Sequence, residues 1–232
     1  MSISRLVLLL IGTLASGLPS LDSIHAAEPK SLFNGKDLKD WDGDPHYWSV
    51  RDGVIRGETT FKALPLSNTF LIWRGSVLKD FELRVKFRLQ SGNSGIQYRS
   101  RDLGKWQLSG YQAEIENKQG KVGLLYEEQG RKFLANVGES AEMPPKGTRK
   151  ILNQFVTKEE LIKKSYYKDR DWNEYLIIAK DNHLEQWLNG IKVVEFTDND
   201  PARRALNGLL ALQIHAGPPM RVEFKDIFLK NL

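Results

Sequence analysis

From Trp48 onward the chain is a succession of short runs of β-branched and aromatic residues, each ended by a turn signal, with no helical pattern alternating between them. The first half carries Trp48 to Ile55, broken at Asp52-Gly53, then Phe70 to Trp73, Phe81 to Leu89, Gly95 to Ser100 and Tyr111 to Glu116. The second half carries Val122 to Tyr126, Asn173 to Lys180, Leu184 to Leu188, Lys192 to Phe196, Leu209 to His215 and Arg221 to Leu229, with Asp181-Asn182 and Asn189-Gly190 as hairpin-type turns. Strands without crossover helices close into an antiparallel sandwich or barrel. One helix is predicted, Thr157 to Lys164, because Thr157 and Glu160 have capping-box spacing ahead of a short apolar stretch. The expected fold is therefore all-β, an antiparallel sandwich or barrel, with one short helical insertion near 157–164.

The N-terminus obeys different rules. Arg5 precedes an apolar run from Leu6 to Leu18, and the small residues Ala26 and Ala27 follow. This pattern predicts a secretory signal peptide over residues 1–27. The run falls short of the ~20 apolar residues that span a bilayer, so membrane contact is expected only through an uncleaved signal. Residues 28–232 then form one domain, periplasmic or secreted. The chain has no cysteine among its 232 residues, which excludes disulfides, a thiolate nucleophile and Cys-ligated metal. A formal net charge of +5 is spread along the chain with no basic stripe, so no nucleic-acid partner is expected.

Side chains alternate faces along a strand, so the sequence also says which polar groups share a surface. In Leu209 to His215, the apolar face is Leu210, Leu212 and Ile214, leaving Ala211, Gln213 and His215 opposite. In Tyr111 to Glu116, residues Gln112, Glu114 and Glu116 oppose Tyr111, Ala113 and Ile115; in Gly95 to Ser100, Gln97 and Arg99 oppose Ile96 and Tyr98. If these strands share a sheet, its outer face gathers Arg, Gln, Glu and His. A solvated sheet face is the plain reading of any one of them. Together they suit directional hydrogen bonding of a polyhydroxylated ligand. Trp106, in the polar stretch Gly104-Lys105-Trp106-Gln107, is the candidate for stacking on a sugar ring, and Trp172 reads as an anchor at a strand entrance.

Familiar catalytic signatures are absent. A jelly-roll glucanase strand of the type Glu-x-Asp-x-x-Glu would need two carboxylates about 5 Å apart. Here Glu114-Ile115-Glu116-Asn117-Lys118-Gln119 ends in Gln, so the second catalytic carboxylate is missing. There is no Gly-x-Ser-x-Gly elbow, P-loop or His-Glu-x-x-His motif, and the chain has only four histidines.

Several segments in order resemble the 3-keto-disaccharide hydrolase domain family, whose members have a concanavalin A-like lectin/glucanase jelly roll. They are Ser31-Leu32-Phe33-Asn34-Gly35-Lys36-Asp37-Leu38 with Trp41, Trp48-Ser49-Val50-Arg51-Asp52-Gly53-Val54-Ile55, and Gly92-Asn93-Ser94-Gly95-Ile96-Gln97-Tyr98-Arg99. They continue with Gly110 to Glu116, Leu125-Tyr126-Glu127-Glu128, Asp171 to Tyr175, Trp187-Leu188-Asn189-Gly190 and Leu212 to Pro219. The chain departs from the family pattern at Glu114 and Glu116, where Asp is common, and at Val122 to Tyr126.

The resemblance implies a glycoside already oxidised at C3 by a separate sugar 3-dehydrogenase. The ketone acidifies the C2 proton; a base removes it, an enolate forms, the C1 aglycone leaves and water adds back. Such chemistry needs a base near neutral pKa, a donor for the enolate oxygen and an acid for the leaving group. On this reading His215 is the base, Arg99 serves the enolate oxygen and Glu114 is acid/base or orients His215. Gln97, Gln112, Glu116, Tyr126, Glu127, Gln213 and Trp106 contact the substrate. No cofactor is required, although Glu114, Glu116 and His215 offer a donor set for a divalent ion. A carbohydrate-binding module without catalysis would use the same glutamines and aromatics but has little need of a titratable His215, and a plain interaction protein would bind no sugar.

Overall fold

The computed structural model describes residues 28–116 and 121–232. The predicted signal segment, residues 1–27, lies outside them. In chain order the first strands are β1 (Lys30–Ser31), β2 (Trp41–Asp42), β3 (Trp48–Arg51), β4 (Val54–Glu58), β5 (Thr69–Leu78), β6 (Phe81–Ser91), β7 (Asn93–Gly104), β8 (Gln107–Glu116) and β9 (Leu125–Glu128). They are followed by β10 (Lys132–Ala135), β11 (Glu139–Met143), β12 (Lys150–Gln154) and the helix α1 (Lys158–Lys163). The chain ends with β13 (Asn173–Lys180), β14 (His183–Leu188), β15 (Ile191–Asp198), β16 (Gly208–Ile214) and β17 (Arg221–Asn231).

The strands form two sheets. The larger has the order β12-β11-β15-β14-β13-β6-β17-β4-β3, with β1 added beside β17; the smaller has the order β10-β9-β8-β7-β16-β5-β2. All-β architecture with one short helix is as the residues dictate. The turns Asp52-Gly53 and Asn189-Gly190 both hold two consecutive left-handed residues, which matches the strand twist in a tight hairpin. The capping box forms as well: Thr157 Oγ1 accepts from the Glu160 N–H at 3.1 Å, and Glu160 Oε2 accepts from the Thr157 N–H at 2.9 Å.

Two features depart from the expectation. Five short strands, β1, β2, β10, β11 and β12, have no clear alternation in the sequence; they take shape from the partners they pair with. One pair is parallel: β11 runs alongside β15, with Glu139 opposite Val194 and Met143 opposite Asp198. A parallel neighbour needs a long crossover, and the chain between them, holding β12, α1, β13 and β14, supplies it.

The core fills the space between the sheets. Ile96, Tyr98, Tyr111, Ala113, Ile115, Leu210, Leu212 and Ile214 of the smaller sheet meet Phe81, Leu83, Val85, Phe87, Tyr175, Ile177 and Phe224 of the larger. Phe87 and Tyr175 stack with ring centroids 5.1 Å apart. The Tyr175 hydroxyl crosses the core and donates to the backbone carbonyl of Glu114 at 2.5 Å, which ties β8 to the opposite sheet at that residue.

Arg99 leaves the pattern that its position predicts. A register shift between Tyr98 and Arg101 interrupts the β7–β8 ladder, and Arg99 takes a left-handed φ of 47°. Its side chain turns inward and is almost wholly buried. Nε donates to the Lys79 carbonyl at 2.8 Å, Nη1 to the Asp181 carbonyl at 2.5 Å, and Nη2 to Asp80 Oδ1 at 2.9 Å. All three guanidinium nitrogens are thus committed to holding the β5–β6 and β13–β14 turns together. Arg99→Ala would remove the cation paired with Asp80 and the donor to the Lys79 and Asp181 carbonyls, and breaking such a pair is predicted to destabilise the fold by about 3 kcal/mol or more. Chemical denaturation measures this; a variant as stable as wild type would mean the bulge holds the turns without the guanidinium.

Candidate functional site

The outer face of the smaller sheet is built from alternate residues of adjacent strands. Register places Gln97 of β7 opposite Gln112 of β8 on one side and Ala211 of β16 on the other; Gln112 in turn faces Tyr126 of β9. One row along, Glu114 faces Gly95, and Gln213 faces Phe70 of β5. Gly95 is required at this point, because a Cβ there would lie 2.4 Å from Cδ of Gln112 and only a bare backbone lets that side chain cross the strand.

This face is not solvated. Gln97 and Gln213 are 0% exposed, Gln112 2% and Glu114 8%. The tip of the long β7–β8 hairpin folds over one end, where the Phe70 N–H donates to the Trp106 carbonyl at 3.0 Å. The Trp106 ring packs on Phe70, Ile72, Leu108 and Ala211, and its Nε1 donates to Asp42 at 2.7 Å. Trp106 is therefore a cover for the sheet, committed to packing and to a carboxylate. The loop before β5 closes the site further: Asn68 Nδ2 donates to Glu128 at 3.2 Å, and its Oδ1 accepts from the Ala216 N–H at 3.0 Å.

What remains open is a cavity of about 230 Å³, room for a single sugar ring. Gln112, Glu114, Gln213 and Asn93 form its floor; Asn68, Glu128 and His215 line one part of its wall, and Lys121, Leu124, Tyr126 and Phe133 another. Phe133 and Tyr126 meet edge to face, centroids 5.3 Å apart, and Phe133 is exposed at the mouth.

A directed chain of hydrogen bonds runs through the floor. Ser100 Oγ donates to Gln97 Oε1 at 2.6 Å, Gln97 Nε2 to Gln112 Oε1 at 2.8 Å, and Gln112 Nε2 to Glu114 Oε2 at 2.7 Å. Asn93 Nδ2 donates to the other Glu114 oxygen at 2.5 Å. Burial nevertheless dominates and pushes the Glu114 carboxyl up to about 7; the two amide donors oppose the rise and the nearby Glu116 charge adds to it. Burial likewise raises Glu128, against the pull of Asn68 and His215. His215 stands exposed at the rim with Nδ1 2.5 Å from the Ala216 carbonyl. A carbonyl only accepts, so Nδ1 carries the hydrogen and Nε2 is the atom left for chemistry.

Of the residues that the strand pattern nominates, Gln112, Glu114, Gln213 and His215 come together, joined by Tyr126, which the family resemblance implies. Gln97 lies one layer behind and orients Gln112. Glu116 faces the Lys121 ammonium at 3.2 Å. Glu127 follows Tyr126 directly and so points to the other face, where Arg131 binds it at 2.7 Å and also holds buried Asp198. Arg99 is spent inside the sandwich, as described. Trp172 sits on the outer face of the larger sheet between the Arg88 guanidinium and the Lys225 ammonium, 4.8 and 4.2 Å from its ring. Among the described residues no three His, Asp or Glu side chains converge as a metal site, so the donor set that Glu114, Glu116 and His215 offered is not assembled. Both Glu114 oxygens face amide donors instead.

Six lining residues, Asn68, Asn93, Lys121, Leu124, Glu128 and Phe133, were not anticipated. Asn93 and Glu128 follow from the same alternation, two positions from Gly95 and Tyr126. Asn68 and Phe133 arrive by tertiary folding and carry no local signal.

A model of the 3-keto-alpha-glucoside-1,2-lyase-like domain matches residues 28–230. The chain belongs to that family. No curated protein matches it in sequence. Among solved structures, this 3-keto-alpha-glucoside-1,2-lyase-like domain is similar to a provisionally assigned glycosyl hydrolase from Parabacteroides distasonis, with a TM-score of 0.61 and 20% identity over 89% of this chain and 100% of that one. It is also similar to a carbohydrate-binding module from Bacillus subtilis, with a TM-score of 0.54 and 12% identity over 83% and 96% of the two chains. A Bacillus licheniformis β-glucanase superposes with a TM-score of 0.52 and 10% identity over 90% and 100%. At these identities the likenesses establish the jelly-roll sandwich, and the family membership supports a carbohydrate-active role.

Gly95→Ala tests the floor. The added methyl must displace Gln112, at an overpacking cost of about 1–3 kcal/mol, and is expected to lower sugar affinity together with stability. Calorimetric titration and thermal unfolding read both; unchanged affinity would mean that the position of Gln112 is immaterial.

Proposed function

We propose that the domain cleaves 3-keto glycosides by elimination across C1 and C2, with Glu114 as the base. The observation that carries this reading is a buried carboxyl, poised near neutrality, on the floor of a ring-sized cavity lined by amides. A ring seated on that floor presents C2 to the buried group and its aglycone to the mouth. Depth therefore favours Glu114 over the exposed His215 for proton abstraction, the reverse of the roles that residue type alone suggests.

The steps balance as follows. Glu114 carboxylate takes the C2 proton, the C–H electron pair becomes the C2–C3 double bond, and the carbonyl pair moves onto oxygen. The pair then returns to the carbonyl as C1–C2 becomes double and the C1–O bond breaks. Protonated His215 Nε2 delivers its proton to the departing oxygen. Water adding across C1 and C2, with its proton passed to His215 and the Glu114 proton returned to C2, gives the free 3-keto sugar and restores both groups. The substrate must be supplied by a reaction that oxidises the sugar at C3, which is the coupling to a sugar dehydrogenase. Export follows from the N-terminal pattern at Arg5 and Leu6 to Leu18.

Incubation with a 3-keto disaccharide and with its unoxidised parent, followed by mass spectrometry, separates the readings. Loss of the aglycone from the keto sugar alone is expected; binding of either sugar without cleavage would make the face a binding module.

The pH dependence has a definite sign. The base must be ionised, so kcat/KM is predicted to rise about tenfold per pH unit up to a midpoint near 7. Glu114→Gln should lose this limb and about 10²–10⁴ in rate. Because the folded carboxyl titrates above its unfolded value, the folded state holds the extra proton. Its contribution to stability is full below the unfolded pKa of about 4.3 and is lost as pH rises to about 7. Denaturation at pH 5 and pH 8 should show this loss in wild type and not in Glu114→Gln; identical pH dependence in both would remove Glu114 as the poised group.

A further inference from the structure

Within that proposed reaction the enolate oxygen needs a donor, and Arg99 is committed elsewhere. Gln213 is fully buried on the floor of the cavity, yet its Nε2 has no hydrogen-bond partner. A buried unpaired donor costs about 1–3 kcal/mol, which an oxygen brought by a ligand would relieve.

The orientation of that amide follows from its neighbours. As the ionised base, Glu114 presents two acceptor oxygens, so the amide nitrogens of Asn93 and Gln112 face it. The same Gln112 Nε2 lies 3.3 Å from Gln213 Oε1. Turning Gln213 over would set its NH₂ against the NH₂ of Gln112, two donors with no acceptor between them. The bond chain that begins at Ser100 therefore ends with both Gln213 Nε2 hydrogens unspent. Gln213 also lies across a single strand from the base: β16 and β8 flank β7, and the Gln112 amide, crossing over Gly95, bridges Glu114 Oε2 and Gln213 Oε1.

We propose that the Gln213 amide donates to the C3 oxygen of the substrate and holds it as charge develops there during proton abstraction by Glu114. No proton passes to or from Gln213. Its contribution is a fixed dipole in a buried site, strongest when the oxygen carries the electron pair that the C2 proton leaves behind. The role rests on the elimination reading, and the test separates the two.

The experiment compares wild type with Gln213→Met, which keeps length and removes the donor, on a 3-keto glucoside in D₂O. NMR follows deuterium entry at C2, and product formation gives kcat and KM. Wild type should exchange and cleave. Gln213→Met should lose about 10²–10³ in kcat with little change in KM, keep its rise with pH through the Glu114 midpoint, and unfold at a temperature no lower than wild type, because the orphaned donor is gone. Gln213→Leu provides the same reading should Met pack poorly. A variant with wild-type kcat, or one altered in KM alone, would overturn the role and leave elimination standing. A wild type that neither exchanges nor cleaves would overturn elimination and this role with it.

Discussion

Four polar side chains, Gln97, Gln112, Glu114 and Gln213, are buried on the outer face of a β-sheet, and the site depends on how that burial is satisfied. An amide in such a place must find partners or destabilise the fold. Here Gln97 and Gln112 find theirs by donating onward, from Ser100 through Gln97 and Gln112 to the Glu114 carboxylate, while Gln213 only accepts, from Gln112. The chain fixes every amide in one orientation and stops at a carboxyl that burial holds near neutral and at a donor with no acceptor, with the Asn93 Oδ1 beside them likewise unpartnered. Both ends open on the same cavity. The geometry thus stores an unsatisfied acid–base and hydrogen-bonding capacity where a ligand can reach it.

The cover makes the burial possible. Without the β7–β8 hairpin tip and the loop before β5, the same residues would be an ordinary wet sheet face, and Glu114 would have no cause to leave the usual carboxylate range. Trp106 seals one end by packing on Phe70, Ile72, Leu108 and Ala211, and Asn68 pins Glu128 to the segment after β16. Beneath the floor, the Tyr175 hydroxyl fixes the Glu114 backbone from the opposite sheet. Positions far apart in sequence therefore set the environment of one carboxyl, and the ring-sized space left open decides what can approach it.

Much of this is legible in the residues. Period-two alternation identified Gln112, Glu114, Gln213 and His215 as sharing a face, because a side chain cannot change face without breaking the ladder. Arg99 shows where the rule fails. The bulge after Tyr98 gives it a left-handed backbone, and no residue type in Tyr98-Arg99-Ser100-Arg101 announces the break. Glu127 was legible in principle, since adjacent residues of one strand cannot both face the site; Tyr126 and Glu128 are the pair that alternation allows. Burial of the face was not legible. Phe133 reaches the cavity because β10 pairs it directly opposite Tyr126, and Asn68 through loop closure; local pattern encodes neither. For the same reason the choice of base shifted: residue type favours histidine, whereas depth favours Glu114.

The account turns on the ionisation of one group, and it can be observed without substrate. Carboxyl-carbon NMR of the protein labelled at glutamate, with the Glu114 signal assigned by its loss in Glu114→Gln, follows that titration directly. The account predicts a midpoint near 7, set apart from the exposed glutamates. A midpoint in the ordinary range near 4.3 would mean that the floor is wet and that Glu114 is not the poised base.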